Sequence, residues 1–307
     1  MPLNSYRYEK SSFILLCSCA FFGAFIQVPY NAFAQVNRLA ASKRSPAFRN
    51  PSGKTGTQIV LEMCKVYQNA DSFQDRSEAK MSQLNGAQFI QTNLTRFKKP
   101  NMIVIESRDP NAGTFTTYAS GSLITVYSGK QNVFMRKDSP PDLPGTLKRI
   151  SQTVLDTMGV NSDQVLSPIS FIIAKNGLPD ETSELKLEGI EKIEGHQVYR
   201  VIGKASLRWF QKMAHSQNTV KIIPDQRDIA LWIDVQSHLL VKAAAALTFH
   251  VTIPKNGKNP AQKLSDGIAF TEFHSSTLIN PTFAATDFTF KEPKNVKQIF
   301  PQSRPKD

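Results

Sequence analysis

The sequence predicts one mainly β domain of the α+β class, built around an antiparallel sheet, and three features support this fold class. Six segments between residues 78 and 137 have the character of short strands, and the turns between them, such as Asn85-Gly86 and Gly129-Lys130, hold few residues. A parallel crossover needs about a dozen residues or more, so these strands must pair as hairpins. Every odd position from Leu239 to Ile253 is apolar, which is the period of a half-buried strand. Two helical segments lie between these β regions.

The first predicted elements are a helix and six strands. Ile59, Met63 and Tyr67 recur at helical spacing, which predicts a helix from about Thr55 to Ala70. The strands predicted after it are Glu78–Leu84, Gln88–Phe97, Asn101–Arg108, Thr114–Ser120, Ser122–Ser128 and Gln131–Lys137.

Two helices are predicted in the middle of the chain. The first covers residues 144–158 and has an amphipathic face formed by Leu147, Ile150, Val154 and Met158. The second covers residues 167–176, with Ser167 as its cap and Gly177 after its end. This second helix is apolar on nearly all sides, so something must cover Ile169, Phe171, Ile172 and Ile173.

The chain is then predicted to return to β structure. The expected strands are Glu184–Glu194, Gln197–Lys204, Asp228–Val235, His238–Ile253 and Ser265–Leu278. The stretch from Ala205 to Gln226 is expected to be irregular, and Phe288 and Phe290 are expected to complete the sheet before Pro293.

Residues 1–34 have the order of a secretory signal. Arg7 and Lys10 precede an apolar run, and Ala32-Phe33-Ala34 predicts cleavage before Gln35. A retained membrane anchor and lipidation at Cys19 are the alternatives. We therefore expect an exported protein of the periplasm or cell envelope, with a flexible basic leader at 35–54, a single domain at 55–300 and a loose tail at 301–307.

The chain is strongly basic. Loss of residues 1–34 lowers the formal charge from +12 to +11. An exported protein with this charge is attracted to anionic head groups or envelope polymers, or its cations only solvate the surface. Nucleic acid is a poor partner, because the cations are dispersed and the compartment is wrong. Contact with a membrane surface or a protein partner is predicted for Arg208, Trp209, Phe210 and Lys212, although an ordinary half-buried loop explains these residues as well.

The sequence contains no recognisable catalytic or cofactor motif. The five histidines are scattered and Cys64 is the only cysteine of the mature chain, so we expect no metal, no cofactor and a buried, inert thiol. Gly53-Lys54-Thr55 resembles the end of a phosphate-binding loop, but position 48, where that motif has its first glycine, is Phe48. The G-x-S-x-G motif of serine hydrolases is absent from the sequence. Carboxylates within strands, such as Glu106, Asp234 and Glu272, form no evident pair. We therefore predict that the protein is not an enzyme, with an envelope hydrolase as an open alternative.

Several short segments resemble a known group of proteins. They are Phe97–Met102, Ala230–Asp234, Leu239–Lys242, Phe270–Phe273 and Asp287–Pro293. With the order of elements, they resemble the LolA/LolB-type superfamily of lipoprotein carriers, which includes RseB, and most closely the exported DUF2092 proteins of unknown function.

This resemblance implies a strongly curved sheet or unclosed barrel, with helices as a lid over the concave face and an apolar cavity between them. Such a cavity binds acyl chains by burial, at about 0.8 kcal/mol for each methylene, and needs no catalytic group. The ligand is then a lipid or lipoprotein acyl chain, carried or sensed. The predicted cavity or lid residues are Val154, Met158, Ile169, Phe171, Ile172, Ile173, Leu247 and Phe249. A basic module that binds an envelope protein or anionic polymer is the main alternative.

Overall fold

The computed structural model describes residues 53–83, 88–110, 113–158, 168–172, 182–205, 221–253 and 262–300. The helices in these ranges are α1 (Gly56–Asn69), α2 (Leu143–Met158), α3 (Pro168–Ile172) and a 3-10 turn at Ala285–Phe288. The strands are β1 (Ser72–Gln83), β2 (Gln88–Lys98), β3 (Met102–Asp109), β4 (Gly113–Ser120), β5 (Leu123–Ser128), β6 (Val133–Asp138), β7 (Thr182–Ile193), β8 (His196–Ala205), β9 (Lys221–Asp234), β10 (Leu240–Ile253), β11 (Gln262–Ile279) and β12 (Lys297–Gln298).

All twelve strands belong to one curved sheet, in the order β12-β6-β5-β4-β3-β2-β1-β11-β10-β9-β8-β7. Two antiparallel meanders, β1 to β6 and β7 to β11, are joined because β1 also pairs with β11, where Phe73 lies opposite Ile279. Within the described ranges the sheet does not close, since β7 and β12 form its two edges. The predicted fold class, a curved and unclosed antiparallel sheet with helices over one face, is confirmed.

The first helix is fixed by its own sequence. Thr55 Oγ1 accepts a hydrogen bond from the Gln58 amide at 3.2 Å, and Gln58 Oε1 accepts one from the Thr55 amide at 2.8 Å. This capping box satisfies two amide groups that the start of a helix leaves without partners. Ile59, Met63 and Tyr67 are fully buried on the face toward the sheet. The predicted helix of about 55–70 is confirmed.

Two predictions about strands were wrong. The first strand begins at Ser72 rather than Glu78, and β9 begins at Lys221, inside the stretch expected to be irregular. Pro224 of β9 cannot donate to a ladder, and the pairing with β10 shifts in register where Phe249 lies opposite it. A proline is tolerated in a strand at such a bulge.

The prediction that Phe288 and Phe290 complete the sheet was also wrong. Phe288 ends the 3-10 turn with a fully buried side chain. Phe290 packs as part of an aromatic group, with ring centroids 5.3–5.5 Å from those of Tyr118, Tyr127 and Phe134. The last strand is β12, which pairs in parallel with β6. The two phenylalanines therefore anchor the C-terminal segment by ring packing and not by ladder hydrogen bonds.

The helices bury the concave face in two apolar clusters. The first cluster joins α1 and α3 to β8, β9 and β10, and includes Tyr67, Phe171, Leu231 and Leu247. The second joins α2 and α3 to β1–β5, and includes Phe73, Phe97, Val154 and Ile169. Ile172 of α3 and Ile279 of β11 pack against both clusters. Helix α3 thus lies where the two halves of the concave face meet.

Candidate functional site

Most of the predicted lid and cavity residues come together over the concave face. Phe171, Leu247 and Phe249 are buried in the first cluster, and Val154 and Ile169 are buried in the second. Ile172 is partly buried between them. Ile173, the Met158 side chain and the predicted contact residues Arg208, Trp209, Phe210 and Lys212 lie outside the described residues.

Side-chain packing holds α3 against the sheet. The Phe171 ring lies 5.7 Å from that of Tyr67, which contacts Phe73 edge to face at 6.2 Å. Gln68 Nε2 donates a hydrogen bond to the Phe171 carbonyl oxygen at 3.2 Å. The described part of α3 is five residues long, and a helical segment of that length has too few internal hydrogen bonds to be stable alone. Its position therefore depends on the burial of its apolar side chains.

A group of polar residues lies beneath the helices on the concave face, between the two apolar clusters. We call this group the polar floor, and it consists of Asp75, Ser77, Asn93, Glu272, His274 and Thr277.

Hydrogen bonds within the polar floor join β1 to β11. His274 Nδ1 lies 3.0 Å from Asp75 Oδ2, and Thr277 Oγ1 donates to Asp75 Oδ1 at 2.8 Å. Ser77 Oγ donates to Glu272 Oε1 at 2.5 Å. The His274 side chain is fully buried and that of Asp75 is 3% exposed. These are ionisable groups in a buried environment, where each needs a partner.

Burial and charge shift the pKa values of this group. Burial raises the pKa of Glu272 above its ordinary value, which favours the neutral carboxyl group. Burial alone lowers the pKa of His274, but the hydrogen bond to Asp75 and the charges of Asp75 and Glu272 more than offset it, so the pKa is raised. A protonated His274 then carries two N–H donors, at Nδ1 and Nε2.

The sequence profile of the DUF2092 family, described as a predicted periplasmic protein, matches residues 56–300. The chain belongs to the DUF2092 family. This membership confirms the resemblance inferred from the short segments, and the family description confirms an exported, periplasmic location.

Several solved structures are similar to this DUF2092 protein at low identity. An uncharacterized conserved protein from Thermus thermophilus is 8% identical, with a TM-score of 0.39 over 79% of this chain and 98% of that one. A LolA superfamily protein from Nitrosomonas europaea is 12% identical, with a TM-score of 0.32 over 78% and 99%. The lipoprotein LppX from Mycobacterium tuberculosis is 13% identical, with a TM-score of 0.32 over 73% and 96%. No curated protein matches. These likenesses are weak, because each of the three TM-scores lies below 0.5.

The polar floor was not predicted from the sequence. In the sequence, Glu272 is one of several carboxylates within predicted strands, and His274 is one of five scattered histidines. The available signal was their spacing, because residues two apart in a strand share a face. The spacing does not show that this face is the buried one, and Asp75 lies 199 positions away from His274 in the sequence.

A second constellation lies on the opposite face of the sheet in this DUF2092 protein. Ser265 Oγ lies 2.9 Å from His250 Nδ1, and His250 Nε2 lies 3.1 Å from Asp225 Oδ2. These three residue types can form a hydrolytic triad. However, the side chains of His250 and Asp225 are 28% and 43% exposed, and exposed groups are held less firmly than a catalytic triad requires. The constellation is better explained as a solvated cross-strand contact.

The other candidate residues have local partners. Glu106 accepts a hydrogen bond from Arg108 at 2.7 Å, and Asp234 lies 3.0 Å from His196, so these two carboxylates do not form a pair with each other. Cys64 is buried, as predicted, and burial raises the pKa of its thiol to about 12. Among the described residues, no group of three or more His, Cys, Asp or Glu side chains is placed to hold a metal. No helix in the described part of the chain is long and apolar enough to cross a membrane.

An open depression of about 580 Å³ lies away from the concave face. It is lined by residues at the β3–β4 and β5–β6 turns, namely Pro110, Gly113, Thr114, Tyr127, Gly129 and Lys130. Its place at the turns separates it from the residues that the helices cover.

Proposed function

We propose that this DUF2092 protein is a non-enzymatic periplasmic carrier or sensor that binds an acyl chain of a lipid or lipoprotein. The chain would lie between the concave face and α3. The observation that carries the proposal is the position of α3, whose side chains fill the space where the two apolar clusters meet. An acyl chain would take the place of these side chains.

The energies on the two sides of this exchange are similar. Burial of Ile169, Phe171 and Ile172 contributes on the order of 5–9 kcal/mol, at about 1.5–3 kcal/mol for each large apolar side chain. An acyl chain that buries about ten methylenes contributes about 8 kcal/mol. Lifting α3 therefore exposes an apolar surface that a lipid covers equally well.

Lipid content and lipid uptake test the proposal. Protein purified from its own host is examined by native mass spectrometry and by lipid extraction, and the delipidated protein is titrated with a fluorescent acyl lipid. We expect a bound acyl lipid and saturable uptake. A protein consistently free of lipid and unable to take up the probe would refute the proposal. A basic interaction module would instead show binding to anionic surfaces that is lost at high salt, without uptake.

A matched pair of variants locates the binding surface. Ile172→Asn places an amide between the two clusters, whereas Leu278→Asn places one at a side chain position that is 48% exposed. A buried amide without a partner costs about 1–3 kcal/mol. We expect Ile172→Asn to strengthen lipid uptake about tenfold, because a chain that displaces residue 172 relieves this cost, and Leu278→Asn to leave uptake unchanged. Equal effects of the two variants would contradict binding under α3.

A further inference from the structure

The polar floor contains one buried ring nitrogen that the fold leaves without a partner, and this nitrogen carries a proton to donate when His274 is protonated, the form that its raised pKa favours. Among the described residues, His274 Nε2 has no hydrogen-bond partner, although its side chain is fully buried. The other ring nitrogen, Nδ1, is held by Asp75. A buried N–H without an acceptor costs about 1–3 kcal/mol, so a native structure normally provides one.

The charge of the polar floor limits what that acceptor can be. Its ionisable groups are two carboxyl groups, Asp75 and Glu272, and one imidazole, His274. The described hydrogen bonds of both carboxyl groups come from His274, Thr277, Ser77 and Asn93, with no Lys or Arg among the donors. The Asp75 carboxylate already neutralises a protonated His274. A further anion would therefore enter a dry region without a free counter-charge, which is unfavourable.

The residues around His274 also indicate what kind of group carries the acceptor atom. Thr95 and the polar floor lie beside Phe73 and Phe97, on the face covered by α1 and α3. A group that reaches His274 from the side of α3 passes between apolar side chains, so an apolar segment attached to it would be buried there. A carbonyl oxygen next to an acyl chain has both properties.

A polar track leads from His274 toward less buried positions. Asn93 Oδ1 accepts hydrogen bonds from Gln91 Nε2 at 2.7 Å and from Ser107 Oγ at 2.9 Å, and all three residues are partly exposed. Asn93 Nδ2 approaches Ser77 Oγ at 3.5 Å, which connects this track to Glu272. The polar end of a ligand can follow these groups while its chain lies against the apolar clusters.

We propose that the polar floor is a subsite for the linkage group of the ligand, in which His274 Nε2–H donates a hydrogen bond to a neutral carbonyl oxygen of an ester-linked acyl chain. This inference rests on the proposed function, and it names the ligand class as acyl esters rather than free fatty acids. Phospholipids and diacylated lipopeptides both supply this group.

Matched lipids test the inference on the unmodified protein. The mature chain is titrated with a diacyl phospholipid, with its dialkyl ether analogue of equal chain length, and with a diacyl lipopeptide. The ether analogue retains the chains but lacks the carbonyl oxygens. A hydrogen bond from a charged donor corresponds to a preference of about tenfold or more for the ester. Comparison of the phospholipid with the lipopeptide shows which source supplies the ester.

Two double variants locate the donor. Asp75→Leu/His274→Leu removes both members of the buried pair, which avoids leaving a lone buried charge. Asp225→Leu/His250→Leu removes the corresponding pair on the outer face of the sheet. We expect the first variant to bind ester and ether equally and the second to retain the preference for the ester. Equal affinity of the unmodified protein for ester and ether would overturn the inference, and so would an unchanged preference in the first variant.

Two further measurements keep the test decisive. If the first variant does not fold, the ¹⁵N resonance of His274 Nε2 in the unmodified protein is followed, and we expect it to shift with the ester but not with the ether. The absence of a shift would overturn the inference, as would a fatty acid that binds as tightly as its methyl ester. If neither the ester nor the ether binds, the proposed function itself fails.

Discussion

Replacement of Phe171 by alanine tests the packing on which the proposed function depends. The Phe171 side chain is fully buried and contacts the Tyr67 ring. Truncation of a buried phenylalanine to alanine costs about 3–5 kcal/mol, because burial is lost and a cavity remains. In a domain of this size each kcal/mol lowers the melting temperature by about 2–4 °C, so we expect a decrease on the order of 10 °C.

The assay is thermal unfolding, followed by circular dichroism with and without an acyl lipid. Phe89→Ala is the control, because Phe89 is 39% exposed and its truncation is expected to cost less than about 1 kcal/mol. The cavity left by Phe171 can hold part of an acyl chain, so the lipid should raise the melting temperature of Phe171→Ala more than that of the unmodified protein. A decrease no larger than that of Phe89→Ala would refute the packing. A lipid effect that is equal in both proteins would refute the position of the ligand.

Three other predictions concern stability and chemistry. Alanine favours helices, but Gly56→Ala should destabilise the fold by about 1–3 kcal/mol in chemical unfolding, because the new Cβ would lie 2.6 Å from the Lys186 carbonyl carbon. The control Lys65→Ala should change the stability little. A Gly56→Ala variant more stable than the unmodified protein would contradict this close approach. Because the pKa of Glu272 is raised on folding, its contribution to stability is present at acid pH and lost as pH rises above about 4.3, the value in an unfolded chain. Glu272→Gln should therefore flatten the curve of melting temperature against pH. An unchanged curve would refute the raised pKa. A fluorophosphonate probe should leave Ser265 unmodified, and labelling at Ser265 would revive the hydrolase alternative.

Local patterns were sufficient to predict most elements. Helix α1 and strands β2–β6 lie within a few residues of their predicted bounds, because each depends on side-chain period and on the turn that follows. The start of β1 was not predicted, because its buried side lacks the apolar pattern of a half-buried strand. Asp75 and Ser77 are buried polar residues on that side.

The candidate site, like the fold, was predicted from the sequence only in part. The apolar excess of residues 167–176 predicted that a surface must cover them, and Ile169 and Phe171 are buried. The polar floor depends on contacts between residues far apart in the sequence, and above all on the pairing of β1 with β11, which places Ser77 opposite His274. No local pattern encodes that pairing.

By itself, the sequence predicted an export signal and determined the antiparallel character of the sheet and the presence of the helices, because each depends on the composition or period of short segments. Only the tertiary structure decided which face of each strand is buried. Alternation shows that Glu272 and His274 share a face, but polar residues usually mark the side exposed to solvent. The pairing of β1 with β11 beneath α1 reverses that expectation, and it brings Asp75 to His274 in the interior.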